Sequence, residues 1–417
     1  MFSLNSLESL DSVNHPHQEK DFMKVFFKRL VLFILFLSPA GAFPLGKNQD
    51  GNQEALPGEH VFFLKQEDVS QAAATISFDI SRKGVEFKKE PDLGKGKLVR
   101  SVIPLDKKKN IVLPFVSNKT ARTLYIDFNR NLDLTDDQNN VFKGEQVSRM
   151  VAFNRVRLNI PFGDKTITYT ATINFPGWPA RNTEELIIHT TWQGDIELEG
   201  KSWRLVMVDG LDGEIGAGSH DRYNFIPLSQ EAATPDYEML PFPKDYVFIN
   251  NKAYRITSSF VQKDKAMEAR VSLVEKDASL GELNLTGKYI RRLVLLESQD
   301  LYHVILENPQ ERINIPTGKY SHEKLSLWRD NPSSRVSYNL DNKIDVSSGT
   351  PAIFKAGGPL KNVVKTTRSG NRLTPSYELH DADDNKVEFE DINNDNPPDV
   401  VFYQNGQKIH SGRFAYG

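Results

Sequence analysis

Apolar and polar residues alternate along much of this chain with a period of two, the pattern of a strand with one buried face. Over residues 166–175, Ile167, Tyr169, Ala171, Ile173 and Phe175 share one face, and threonines fill most of the other. Leu124, Ile126 and Phe128 alternate with Tyr125, Asp127 and Asn129 in the same way. Trp203, Leu205 and Met207 alternate too, but Val206 and Val208 make that run apolar on both faces. Such a strand is expected to lie buried between layers. Gly163-Asp164 separates two of the runs, and Asn405-Gly406, between Val400–Tyr403 and Lys408–His410, is a two-residue hairpin signal. In the first half only residues 66–75 read as a short helix. Many short strands with frequent turns predict a mostly β fold of two or three packed, sandwich-like or barrel-like domains.

Near the N-terminus the pattern changes. Lys24, Lys28 and Arg29 precede an unbroken apolar run over residues 30–37, and Ser38-Pro39-Ala40-Gly41-Ala42 follows. A basic stretch, a short apolar stretch and a small-residue site in that order predict a secretory signal peptide cleaved after Ala42. The apolar run is too short to span a bilayer core of about 30 Å at about 1.5 Å per residue. The polar residues before Met23 do not belong to such a signal, so Met23 is an alternative start. The expected organisation is an N-terminal extension and signal peptide (1–42), a first β domain (43–184), a middle β unit (185–270) and a C-terminal β-sandwich-like domain (271–417). The boundaries rest on the Pro- and Gly-containing 175–184 stretch and the polar 262–270 stretch.

The chain has no cysteine, so an exported protein of this length is held by its core or by bound ions, without disulfides or a lipid-modified cysteine. No second apolar stretch reaches membrane-spanning length, so no transmembrane anchor is expected after signal cleavage. The net charge is −3, which gives no reason to expect nucleic acid as a partner. The expected location is secreted or periplasmic, in the cell envelope.

The chemistry lies in acidic loops. Asp127, Asn129, Asn131, Asp133 and Thr135 place an oxygen side chain at every second position directly after an apolar strand. They match positions 1, 3, 5, 7 and 9 of an EF-hand-type loop, and calcium takes six to eight oxygen ligands. Leu132 stands where that loop has its turn glycine, and Gln138 where it has its bidentate glutamate. Asp136 or Asp137 is the substitute carboxylate. Asp391, Asn393, Asp395 and Asp399, before Val400-Val401-Phe402, form a second set. This set resembles the calcium loop of integrin-type FG-GAP repeats, although Asn396 replaces that family's glycine and one copy occurs. Asp381, Asp383 and Asp384 lie just upstream and add negative charge that favours a cation. Both loops have an alternative reading as polar turns capped by their own side chains. A third stretch with Asp209, Asp212, Glu214 and Asp221 keeps the carboxylates without the 1-3-5 spacing; it reads first as a solvated turn, with metal binding as the alternative.

The 124–137 block, Leu-Tyr-Ile-Asp-Phe-Asn-Arg-Asn-Leu-Asp-Leu-Thr-Asp-Asp, resembles a block in uncharacterised exported proteins of environmental bacteria. The 208–222 block, Gly357-Gly358-Pro359-Leu360 and the ending 411–417 are similar to further parts of those proteins. The resemblance covers about half of the mature chain. It implies an exported β-rich architecture and no particular activity.

Catalytic signatures are absent: there is no G-x-S-x-G, no H-E-x-x-H and no P-loop. Ser219-His220-Asp221 are triad residue types side by side, but triads are assembled in space. His189 reads as a hydrogen-bonded strand residue, and Trp178 as a domain-boundary residue rather than a sugar platform. The expectation is therefore an exported, non-enzymatic β protein with calcium-stabilised loops. It would bind a protein or polysaccharide, or serve the cell envelope structurally. The alternatives are an exported hydrolase without a linear motif and a carbohydrate-binding module.

Overall fold

A computed structural model describes residues 58–79, 84–105, 112–148, 150–162, 165–176, 183–216, 218, 220–228, 239–263, 266–327, 336–340, 343–370, 372–387 and 399–413. The signal segment, Trp178, Ser219 and residues 391–398 of the second acidic loop lie outside them. Every regular element in the described residues is a strand, so the expected mostly β class is found. Chain contacts define two units. Among the described residues, one holds 58–387 and the other 399–413.

The larger unit is organised by one 13-stranded sheet. From one edge its strands are Leu240–Pro241, Arg222–Pro227, Lys201–Val208, Thr190–Leu198, Glu59–Asp68, Ala266–Lys276, Lys252–Lys263, Tyr246–Ile249, Tyr302–Glu307, Ile290–Glu297, Gly318–Leu327 and Val336–Leu340. Ile344–Val346 also pairs with Gly318–Leu327. Neighbours are antiparallel except Tyr246–Ile249 and Tyr302–Glu307, which run parallel. No barrel closes among these strands. The sheet curls far enough, however, for Tyr223 and Asn224 at one side to reach His303 and Arg292 at the other.

Two cores lie on opposite faces of this sheet, and the alternation of side chains sorts residues between them. Val247 and Ile249 join the first core; Tyr246 and Phe248 join the second. Ile305 and Val294 likewise serve the first, while Val304, Leu306, Leu293 and Leu295 serve the second. A strand with both faces covered needs apolar residues at every position. The Lys201–Val208 strand meets the same condition, with Trp203, Leu205, Val206, Met207 and Val208 all buried.

A five-stranded sheet (Ala74–Asp79, Thr183–Ile188, Lys165–Pro176, Met150–Phe162, Glu145–Val147) and a four-stranded sheet (Leu98–Pro104, Val112–Asn118, Thr123–Ile126, Val141–Lys143) contribute to the first core. Ile167, Tyr169, Ala171, Ile173 and Phe175 are its buried row, as their period requires. The helix expected over 66–75 is absent. Residues 66–68 finish the Glu59–Asp68 strand, and 74–75 begin the next one. Pairing of Lys65, Gln66, Glu67 and Asp68 with residues 190–193 outweighs the local helix preference of that polar run. The 184/185 boundary expected from the sequence falls within Thr183–Ile188, and 270/271 within Ala266–Lys276.

In the smaller unit, Asp399–Gln404 and Gln407–Arg413 form a hairpin through Asn405 and Gly406. Both turn residues have positive φ, +50° and +79°, as the two-residue turn requires.

Candidate metal centres

The 127–137 loop leaves the Thr123–Ile126 strand and curls by means of its own side chains. Asp127 is fully buried and accepts the N–H of Arg130 at 2.6 Å on one oxygen and that of Leu132 at 2.8 Å on the other. The Asn129 side chain accepts from Asn131 N–H at 3.0 Å, and Asn131 from Asp133 N–H at 2.7 Å. Asp133 accepts from Thr135 N–H at 2.8 Å. Each of these three bonds caps a backbone N–H two residues on, so the alternation seen in sequence becomes a run of Asx turns. Arg130 and Leu132 both hold positive φ, +62° and +68°. Leucine thus makes the turn for which an EF-hand-type loop uses glycine, at a cost of about 1–2 kcal/mol.

The far end of the loop folds back to close it. Asp137 accepts the N–H groups of Phe128 and Asn129, both at 3.2 Å. The amide groups of Asn129 and Asn131 donate to Asp136 at 3.1 and 2.7 Å. Asp136 and Asp137, just before Gln138, thus return two carboxylates to the start of the loop. Burial raises the proton affinity of Asp127, and neighbouring Asp136 adds to it, against the backbone donors. Burial, with Asp127 and Asp136 alongside, pushes Asp137 up to about 6. Asp133 is held below the usual carboxylate range by its bonds to Thr135. Outside the loop, Lys88 donates to the Asn131 carbonyl at 2.9 Å and the Lys89 carbonyl accepts Leu134 N–H at 3.1 Å. The donor set is all oxygen, which suits a hard cation such as calcium.

A second acidic turn, residues 209–221, joins Lys201–Val208 to Arg222–Pro227. It is not the solvated turn expected from the sequence. Asp209 and Asp221 are 0 % and 1 % exposed. The loop is packed under the five-stranded sheet, whose Tyr169 hydroxyl donates to Asp209 and whose Phe162 ring occupies the space a side chain on Gly213 would need. Asp221 accepts three backbone N–H groups, from Gly210, Gly216 and Gly218, each at 2.7 Å. One oxygen each of Asp209, Asp212 and Asp221 lies within 4.8 Å of the others. Burial, then Asp221, raises the proton affinity of Asp209 far above the usual range, and burial with Asp212 pushes Asp221 up to about 6. Phe162 touches both loops, since the Arg130 guanidinium lies 5.9 Å from its ring centre.

Of the second predicted set, only Asp399 is described. It begins a strand and pairs with Arg413 at 2.9 Å. Asp381, upstream, is fully buried and accepts from the N–H groups of Asp383 and Asn385 at 2.9 Å and from the Tyr338 hydroxyl at 3.1 Å. It ties a turn to the second core. His189 has both ring nitrogens partnered, by Gln71 and Thr172, as expected, but it lies between the Thr183–Ile188 and Thr190–Leu198 strands and in neither of them.

The burial of this trio was not legible in the sequence because its members are spaced unevenly and its contacts reach back to Tyr169. The available signal was the glycine series 210, 213, 216, 218 threaded through the aspartates. Bare backbone N–H groups at close quarters are what a buried carboxylate needs. The chain as a whole matches no family model, no curated protein and no solved structure.

Proposed function

We propose that this chain is an exported, non-enzymatic β-sheet protein whose acidic loops bind calcium, with a binding or envelope-structural role toward a protein or polysaccharide. One observation carries the reading. In the 127–137 loop a leucine and an arginine are held at positive φ by a single buried aspartate. Strained backbone persists only where its surroundings over-determine it, and it concentrates at ligand clamps. Nearby, Asp136 raises the proton affinity of Asp127, and Asp127 and Asp136 together raise that of Asp137, on top of the effect of burial. A bound divalent cation removes that repulsion.

Scanning calorimetry of the mature protein tests this. Calcium binds the folded chain alone, so at about a hundredfold excess over Kd it stabilises by about 2.7 kcal/mol. Extracellular modules bind at roughly 10⁻⁴–10⁻³ M, so millimolar calcium is the working range. Asp127→Ala removes the contribution of this loop, and magnesium substitutes poorly because it demands a tighter octahedron. Identical melting in excess chelator and in several millimolar calcium would show a turn closed by its own hydrogen bonds.

A further inference from the structure

Apart from the reading of the 127–137 loop, we propose that Asp209, Asp212 and Asp221 bind a hard divalent cation beneath the five-stranded sheet. The three carboxylates lie within 4.8 Å of one another. That proximity is common in acidic turns and does not define a site. What distinguishes this one is Asp209. It is fully buried, and its Oδ1 has no hydrogen-bond partner. Its other oxygen is taken by the Tyr169 hydroxyl and by Gly213 N–H at 3.3 Å.

An unpartnered, buried carboxylate oxygen is costly to leave unmade. Asp209 and Asp212 also approach within hydrogen-bond reach. With both ionised they only accept, so either a proton or a metal cation belongs between them. The Arg222 guanidinium donates to the Asp221 backbone carbonyl at 2.7 Å. The loop also leaves room. A Cβ on Gly218 would press on the carboxylates of both Asp212 and Asp221, so glycine keeps the space between them open. The donors already present fix the ligands in place: Asp221 is held by three backbone N–H groups, and Asp212 by Glu214 N–H at 3.0 Å. Such outer contacts orient ligands for an ion. The donors are all carboxylate oxygens, the set chosen by calcium, magnesium and manganese rather than by zinc or copper.

The Tyr169 ring lies against the site and 5.8 Å from that of Trp192. Terbium bound there is excited through these rings, so its sensitised emission reports occupancy. Wild-type protein titrated with terbium chloride should show a saturable emission component, displaced by calcium chloride or, if the cation is smaller, by magnesium chloride. Asp212→Asn keeps the oxygen that caps Glu214 and removes one charge; it should weaken this component at least tenfold. Asp209→Asn should abolish it. Asp133→Ala, in the other loop, should leave it unchanged, which separates this site from the calcium loop proposed above. The proposal is overturned if no sensitised component appears, or if neither calcium nor magnesium displaces it. It is equally overturned if a folded Asp212→Asn protein binds terbium as wild type does. In those cases a proton bridges Asp209 and Asp212.

Discussion

His303 lies in the Tyr302–Glu307 strand, fully buried, with Nδ1 2.9 Å from the Tyr223 hydroxyl and its ring stacked on the Tyr223 ring at 5.9 Å. Burial raises the pKa of that hydroxyl, so it keeps its proton and donates to Nδ1. The neutral imidazole then carries its own proton on Nε2, which has no partner. Burial lowers the histidine pKa to about 4. The folded state therefore binds fewer protons than the unfolded state between about pH 6.5 and 4. The contribution of His303 is complete above about 6.5 and is lost as pH falls towards 4, at up to about 1.4 kcal/mol per pH unit. Urea unfolding of wild type and His303→Gln at several pH values isolates this slope. The two stabilities should converge on acidification; parallel curves would mean that the ring titrates normally. At this scale the sequence shows only a histidine in an apolar strand. Its partner is 80 residues away and belongs to no local pattern.

The two acidic loops differ in how they close. The 127–137 loop is tied by bonds that reach two to five residues along the chain, together with returns from Asp136 and Asp137. Contacts of that range leave a periodic trace, which is why Asp127, Asn129, Asn131 and Asp133 were legible as a set. The 209–221 loop closes on Tyr169, 40 residues earlier, and carries no period. Glycine was its one local mark, and glycine also governs a different close approach. After the Leu280–Leu285 strand, a Cβ on Gly287 would overlap the backbone of Ala356 and Gly357. Gly287→Ala must push two backbone segments apart and should destabilise by about 1–3 kcal/mol or more. At Gly84 a Cβ meets nothing nearer than the Arg100 carbonyl at 3.6 Å, so Gly84→Ala should stay within about 0.5 kcal/mol. Equal shifts in the two melting temperatures would contradict the close approach at Gly287.

Across the whole described molecule, strand class was legible because alternation is local, whereas the order of strands was not. Glu59–Asp68 lies between Thr190–Leu198 and Ala266–Lys276 in the middle of the 13-stranded sheet. Nothing within reach of a pattern search pairs Leu64 with Ala269. Because that strand serves two neighbours, its removal leaves both without a partner on one side. A chain beginning at Ala72 should lose the cooperative urea transition that the longer protein shows. Retention of a sharp transition would mean that the two halves of the sheet stand without it.

The same central position has a consequence in time. A polypeptide emerges N-terminus first, from a ribosome or a translocation pore alike. Phe62 and Leu64 are therefore presented long before their partners Val271 and Ala269. At about 5–20 residues per second, the roughly 200 intervening residues take about 10–40 s to follow. Through that interval the nascent chain carries an apolar segment with unpaired backbone, a template that other chains can join. Its survival then depends on whatever shields the early segment until the rest has arrived, so crowding during synthesis is a hazard written into the strand order itself.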